Sequence, residues 1–470
     1  MNTVELYSVF LKHPVVTTDS RNCPQDSIFF AIKGEKFDGN DYIEQALLNG
    51  AAYAVGDSAA LPPDSRIIRV NNALQSLQDL ANYHRRQLNP QVIAITGTNG
   101  KTTTKELIAA ALSTVSPTLF TQGNLNNHIG VPLTLLRLKP EHRFAVVEMG
   151  ANHQGEIRAL CRIADPDYGL ITNVGKAHLE GFGSFEGVVR AKTELYDYIR
   201  AKGGLLFVNI DNPILKAQSE NINRVFYGAS PEAFVQGRII DSEDYFLTPY
   251  PSPNGEGSFA SPPTPLQMER GVLPLTPSPY PKDKGVSPLS IWRGVGGEVR
   301  THLVGNYNFE NVLAAICVAT FFNGVCSDIN NAIANYTPAN NRSQSLKTQR
   351  NDLIIDAYNA NPDSMRVALN NFLNLKVAPK MAIIGEMKEL GEYSREEHQK
   401  LVARLRESAI DKVILCGENF KDTDSAAPEW MVFRHTQQLL DYLQAGNFSG
   451  FHILIKGSRT NQLEKTIEFL

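Results

Sequence analysis

Cysteine is scarce in this chain of 470 residues: Cys23, Cys161, Cys317, Cys326 and Cys416 are odd in number, far apart and never in a C-x-x-C pair. That pattern argues against a disulfide framework and against a zinc site, and predicts reduced, mostly buried thiols. An excess of charge is missing too, the formal net charge being only −4. So balanced a surface does not suggest nucleic acid as a partner, while leaving room for a local basic pocket. No run approaches the roughly 18 apolar residues of a membrane span. Residues 1–16 carry Glu5 early and have no basic leader ahead of an apolar stretch. The chain therefore reads as soluble, unexported and cytoplasmic, with no membrane partner. What it does have is apolar content, 42% of residues, enough for two to four domains with cores of their own.

Short β-branched or apolar runs at 92–95, 144–147, 169–171, 353–355, 381–384, 412–415 and 451–455 alternate with stretches of helical spacing. Such alternation predicts α/β architecture with open, largely parallel sheets. Boundaries are expected near residue 85, ahead of the first strong strand-helix unit, and near residue 336, where the chain turns polar around Pro338. Three domains follow: a small α/β domain at 1–85, a central mononucleotide-binding domain with a mostly parallel sheet at 86–336, and a Rossmann-like domain at 337–470. Residues 247–290 break the pattern, holding 11 of the 26 prolines with almost no apolar periodicity. They include two similar elements, Leu247-Thr248-Pro249-Tyr250-Pro251 and Leu275-Thr276-Pro277-Ser278-Pro279. We read this stretch as a disordered surface insertion in the central domain, the alternative being a polyproline ligand for a partner.

The strand 92–95 ends in Gly97-Thr98-Asn99-Gly100-Lys101-Thr102, and helical spacing starts at Thr102. Glycines let backbone N–H groups close around phosphate oxygens, Lys101 supplies a point charge for the terminal phosphates, and the Thr102 hydroxyl suits Mg²⁺. The general pattern G-x-x-x-x-G-K-[ST] would require glycine at position 95, where this chain has Ile95.

That misfit disappears in the Mur ligase family, whose loop reads G-T-x-G-K-[ST] and begins where Gly97 stands. The chain resembles this family further through Thr121-Gln122-Gly123-Asn124-Leu125-Asn126-Asn127-His128, Glu148-Met149-Gly150 and Thr172-Asn173-Val174-Gly175-Lys176-Ala177-His178. Asp19-Ser20-Arg21, the doublet Asn126-Asn127, Asp356-Ala357-Tyr358-Asn359-Ala360-Asn361-Pro362 and Gly385-Glu386-Met387-Lys388-Glu389-Leu390-Gly391 are similar to its D-alanyl-D-alanine-adding branch. Two departures stand out: Tyr307 where many relatives have histidine, and Glu386 where aspartate is common.

The resemblance implies an ATP-dependent carboxylate-amine ligase of peptidoglycan synthesis, acting on ATP, UDP-N-acetylmuramoyl-tripeptide and D-alanyl-D-alanine, with one or two Mg²⁺ and as a monomer. It places ATP on Gly97, Thr98, Asn99, Gly100, Lys101, Thr102, Thr103, Asn308, Asn311, Arg342 and Asp356. Ser20, Arg21, Gly34, Asp38, Gly39, Asn40, Asn126 and Asn127 would hold the UDP-linked substrate. Lys101, Glu148, His178 and Lys192 would be catalytic, with Thr102, Glu148, His178 and a CO₂-derived carbamate on Lys192 as metal ligands. From the residues alone, Glu148 is equally a surface or capping carboxylate, His178 a structural histidine, and Lys192 a solvated lysine on a helix. Two rival readings stay open: a sister ligase adding a single amino acid to a muramyl or folate-type carboxylate, and a non-catalytic module that binds ATP and UDP-sugar.

Overall fold

The computed structural model describes residues 1–239, 246–249, 299–303, 305, 307–338, 342, 344–421, 423 and 429–470. The proline-rich segment therefore lies outside the described residues from 250 onward. Among the described residues no helix is long and apolar enough to cross a membrane.

Three sheets organise the chain. The first is parallel, in the order Val16–Thr17, Ser27–Phe30, Ala51–Gly56, Ile67–Arg69. The central sheet is built on Gln91–Thr96, which lies between Phe144–Glu148 and Tyr168–Ile171. Thr118–Phe120 flanks the first neighbour, while Leu205–Asn209, Asn223–Gly228 and Val235–Ile239 extend the other side, all parallel. Its core strands are uninterrupted apolar runs rather than alternating ones, as a parallel sheet covered on both faces requires. The helices Lys101–Ser113 and Asn308–Phe321 cover one face, Glu156–Ala164 and Phe185–Lys202 the other. After Gln91–Thr96 the chain runs first to one side and then to the other, so the carboxyl end of that strand opens on a topological switch point, where ligands of such sheets bind.

The third sheet has the order Gln344–Lys347, Asp352–Asp356, His452–Lys456, Lys380–Gly385, Lys412–Cys416, Met431–Phe433, with only the first strand antiparallel. The expected α/β class is thus the observed one. Sequence periodicity missed the antiparallel extension of the central sheet, in which Phe246–Pro249 pairs with Val235–Ile239 and with Val299–Arg300. These strands are too short for a readable period, and the first runs into the prolines. Pro249, which has no N–H to give, falls beyond the two-residue pairing with Val299–Arg300.

The boundary expected near residue 85 falls inside a helix, Ala73–Leu88, capped by Asn72 and ended by Asn89 in the left-handed conformation. Leu77, Leu80 and Ala81 on this helix join a single core with Phe30 of the first sheet and with Val131, Leu135 and Leu160 of the central region. Polar bonds reinforce the joint. His84 lies 3.2 Å from the Tyr7 hydroxyl and 3.0 Å from Leu138 O. The buried Arg85 donates to Ala164 O at 3.2 Å, and to Asp165 O and Asp167 Oδ2 at 2.8 Å each. Replacing Arg85 by methionine leaves these carbonyls and the carboxylate without their cation, at a cost of about 3 kcal/mol. Urea denaturation of the purified variant should show a first transition at lower denaturant, with an extrapolated unfolding free energy lower by that amount.

Candidate functional site

The phosphate loop is shaped by what surrounds it. Gly97 has φ 146° and Gly100 has φ 78°, both in the region that favours glycine. A Cβ on Gly97 would collide with Thr172 Oγ1, and one on Gly100 would stand 2.7 Å from Asn311 Oδ1. Thr98 N–H donates to Asn173 O and Asn99 N–H to Asn173 Oδ1, both at 2.9 Å. Gly175 N–H returns a bond to Thr98 Oγ1 at 2.9 Å. The loop is therefore clamped to the turn after strand Tyr168–Ile171. Asn311 braces it from below, accepting from Thr104 Oγ1 and donating to Asn308 Oδ1 at 2.9 Å each.

Glu148 ends its strand almost completely buried, 1% exposed. Burial of a carboxylate is costly unless its oxygens are bonded. Here Thr102 Oγ1 donates to Oε2 at 2.9 Å and Asn126 Nδ2 to Oε1 at 2.8 Å. Thr102 and Glu148 so provide adjacent hard oxygen donors, a pair that suits Mg²⁺. Among the described residues, no group of three or more His, Cys, Asp or Glu side chains forms a closed metal cage.

Lys101 points back along its own loop, donating to Gly97 O at 2.7 Å and Thr98 O at 3.0 Å. Burial draws its amine down to about 8; Glu148 acts the other way and Arg342 adds to the fall. Lys192 is not the solvated lysine its helix suggested but 2% exposed. Its Nζ stands 3.4 Å from Ala151 O and 5.2 Å from the Phe182 ring centroid. Burial, then repulsion from Lys101, bring it down to about 7 against the pull of Glu156 and Glu194.

The opposite wall comes from the third sheet. Arg342 stacks on Tyr358 with its guanidinium carbon 3.7 Å from the ring centroid, and its Nε has no hydrogen-bond partner. Asp356, at the end of its strand, pairs with the buried Lys456 at 2.8 Å. Polar contacts join the walls: Asn361 Nδ2 donates to Asn99 Oδ1 at 2.8 Å, Lys176 N–H to Asp363 Oδ2 at 2.8 Å, Lys176 Nζ stands 3.7 Å from Glu397 Oε1, and Glu389 meets His178 Nδ1. Between them lies one cavity of about 780 Å³. Thr98, Asn99, Gly100, Lys101 and Thr103 line it on one side, with Glu148 and His178; Arg342 and Asp356 line it on the other. Asn126, Asn127, Asn308 and Asn311 also line it, whereas Gly97, Thr102 and Lys192 do not.

The residues expected to hold the UDP-linked substrate are divided. Asn126 is beside Glu148, and Asn127 Oδ1 accepts from Ile129 N–H and Gly130 N–H at the start of helix Gly130–Leu135. Ser20, Arg21, Gly34, Asp38, Gly39 and Asn40 belong to the first domain and do not line the cavity. Arg21 forms a surface pair with Asp19, and Asn40 donates to Asp38 and Asp57, closing its own turn.

Three family models match the chain: the Mur ligase family catalytic domain over residues 14–85, the Mur ligase middle domain over 95–261 and the Mur ligase glutamate ligase domain over 341–459. The UDP-N-acetylmuramoyl-tripeptide--D-alanyl-D-alanine ligase of Bacillus subtilis is 31% identical, over 97% of this chain and 92% of its own. The chain belongs to the Mur ligase family. The enzyme of the same name from Escherichia coli is 32% identical over 99% of this chain and 95% of its own. Among solved structures, MurF from Acinetobacter baumannii superposes with a TM-score of 0.78 at 29% identity, covering 96% of this chain and 92% of that one. The MurF ligase from Thermotoga maritima, solved with ADP, shares the fold at TM-score 0.78 and 24% identity over 98% and 97% of the two chains.

In this Mur ligase the sequence left unread one residue next to Glu148. Lys105 is fully buried, 3.2 Å from Glu106 Oε1, 4.0 Å from Glu148 Oε2 and 5.6 Å from the centroid of Phe120. Its signal was a charge on the same helical face as the apolar Ile108 and Leu112. Lys105→Met should destabilise the fold by about 3 kcal/mol, because a buried carboxylate loses its nearest fixed cation. Adding Glu148→Gln should recover part of that loss in a double-mutant cycle measured by urea unfolding.

Proposed function

We propose that this chain joins D-alanyl-D-alanine to UDP-N-acetylmuramoyl-tripeptide at the expense of ATP, giving the pentapeptide precursor of peptidoglycan with ADP and phosphate. The observation that carries this reading is a single cavity in which a phosphate loop and a buried carboxylate face a stacked arginine from another domain. Full-length relatives at 31% and 32% identity bear the name of that activity.

In this reading the substrate carboxylate oxygen attacks the γ phosphorus, the bond to the β-phosphate oxygen breaks, and ADP leaves. The amine of the dipeptide then attacks the acyl phosphate carbon, phosphate departs with its oxygen, and the amine proton passes to solvent. Every partner in the first step is anionic, so positive charge and exclusion of water are what the protein must supply. Lys101 and the N–H groups of the phosphate loop hold the triphosphate, and Arg342, lining the other wall, faces it across the cavity. Asp356 is assigned to the ribose. Thr102 and Glu148 would hold Mg²⁺, which when bound supplies charge neutralisation along the phosphates.

Lys192 is assigned as a carbamate and His178 as a further metal ligand. An amine drawn down to about 7 has a substantial neutral fraction at neutral pH. In that form its nitrogen adds to CO₂, loses a proton and becomes an anionic oxygen donor.

The deciding assay is phosphate release from ATP with UDP-muramyl-tripeptide, comparing D-alanyl-D-alanine with single amino acids and glutamate. Turnover with the dipeptide alone is expected. Turnover with a single amino acid would transfer the assignment to a sister ligase, and ATP binding without turnover to a regulatory module. Separately, Lys192→Ala should lower turnover by roughly two orders of magnitude, with small carboxylates restoring part of it. Unchanged turnover in that variant would remove the carbamate from the reading.

A further inference from the structure

One buried titratable group outside the cavity has no part in the chemistry above. His398, in helix Ser394–Arg406, is fully buried, with Phe420 edge-on at a centroid distance of 5.2 Å. Its Nδ1 lies 2.7 Å from Ser394 O, and its Nε2 lies 3.0 Å from the backbone nitrogen of Met387. A carbonyl can only accept and a backbone N–H can only donate. Nδ1 therefore carries the hydrogen and Nε2 the lone pair, so the imidazole is neutral and in one tautomer.

The bond to Met387 has a consequence across the domain boundary. Met387 sits in the loop that leaves strand Lys380–Gly385 and ends at the turn Gly391–Tyr393. Glu389 on this loop is in the left-handed conformation, φ 61°, and meets His178 of the central domain. At the loop's start, Glu386 takes the Asn419 N–H at 3.1 Å and the Lys388 ammonium at 2.6 Å. Between that anchor and Glu389, two side chains fasten the backbone at Met387: His398 takes its N–H at 3.0 Å, and Asn419 Nδ2 reaches its carbonyl at the longer distance of 3.5 Å.

We propose that His398 is a positioning residue for the ligation, holding the loop 386–390 against the central domain through the Met387 N–H. A proton on Nε2 would set two donors against each other and release the loop. Burial, the largest effect, keeps the imidazole below its ordinary value, and Lys388 acts in the same direction. The Ser394 carbonyl, Glu386 and Glu397 act the other way. Glu397 is itself partnered by Lys400 at 3.0 Å and Lys176 at 3.7 Å. Because the folded value is depressed, the loop keeps its hold above the ordinary imidazole range. It loses stability as pH falls through that range, where the released form takes up the proton first.

The kinetic part of the test rests on the proposed ligase reading; the exchange part does not. His398→Asn keeps a donor toward Ser394 O and removes the acceptor, whereas His398→Gln places an acceptor near Nε2 that cannot titrate. Hydrogen exchange on the full chain, corrected for intrinsic rates, should show the Met387 amide about tenfold less protected in H398N, the equivalent of one hydrogen bond. H398Q should stay close to wild type at pH 7.5 and lack its loss of protection toward pH 5.5. The KM for D-alanyl-D-alanine should rise about tenfold in H398N, with affinity for an ATP analogue within about twofold of wild type. Unchanged Met387 protection in H398N would overturn the proposal. So would equal deprotection of strand Lys380–Gly385 in both variants, which would make His398 a packing residue, or a freed loop with unaltered KM. Failure of the wild type to use the dipeptide would sink the ligase reading instead, and the exchange arm would still decide what His398 holds.

Discussion

The site depends on the clamp between the phosphate loop and the turn that follows strand Tyr168–Ile171. Thr98 and Asn99 take their backbone partners from Asn173, and Thr172 Oγ1 closes on Asn99 O at 2.6 Å. These bonds fix the start of helix Lys101–Ser113, and so the direction in which Thr102 faces Glu148. The same turn continues to Lys176 and His178, which meet Asp363 and Glu389. One short segment thus sets the phosphate site and the docking of the third domain together.

Charge is arranged in layers around that clamp. Lys105 lies behind Glu148, Lys101 stands in front of it, and Lys192 is close enough to Lys101 for their repulsion to count. Lys105 and Lys101 bring positive charge to one buried carboxylate, while Lys192, drawn down to about 7, carries only part of a charge near neutral pH. For a reaction joining anionic partners this is the useful sign. Asp356 and Lys456, by contrast, neutralise one another on the far wall. There Arg342, which lines the cavity while stacked on Tyr358, keeps a positive group on that wall.

The first domain relates to the rest differently from the third. Helix Ala73–Leu88 shares a continuous apolar core with the central sheet and is pinned by Arg85 and His84. The contacts described between the central and third domains are instead polar, joining the half-buried Asn99 and exposed Lys176 to the buried Asn361 and Glu397. Polar interfaces of that kind are exchanged for water at little net cost, so motion of the third domain is the less expensive of the two.

The sequence by itself determined the α/β class, the parallel order implied by strand-helix alternation and the phosphate loop, and the resemblance named a part of the cavity lining. Those signals are local: a period, a glycine pattern, a string that folds as one turn. Three facts were decided only in the tertiary structure. Lys192, one lysine on an apparently solvated helix, is buried because Phe182 and Ala151 from other elements close over it. Asn126 meets Glu148 although 22 residues separate them, because adjacent parallel strands bring their carboxyl ends together. Ser20 and Asn40, expected on the UDP-linked substrate, do not line the cavity: Ser20 O accepts from Asn49 and Asn40 closes its own turn on Asp38. Burial and partnership of a charged side chain depend on elements distant in the chain, and no local pattern encodes them.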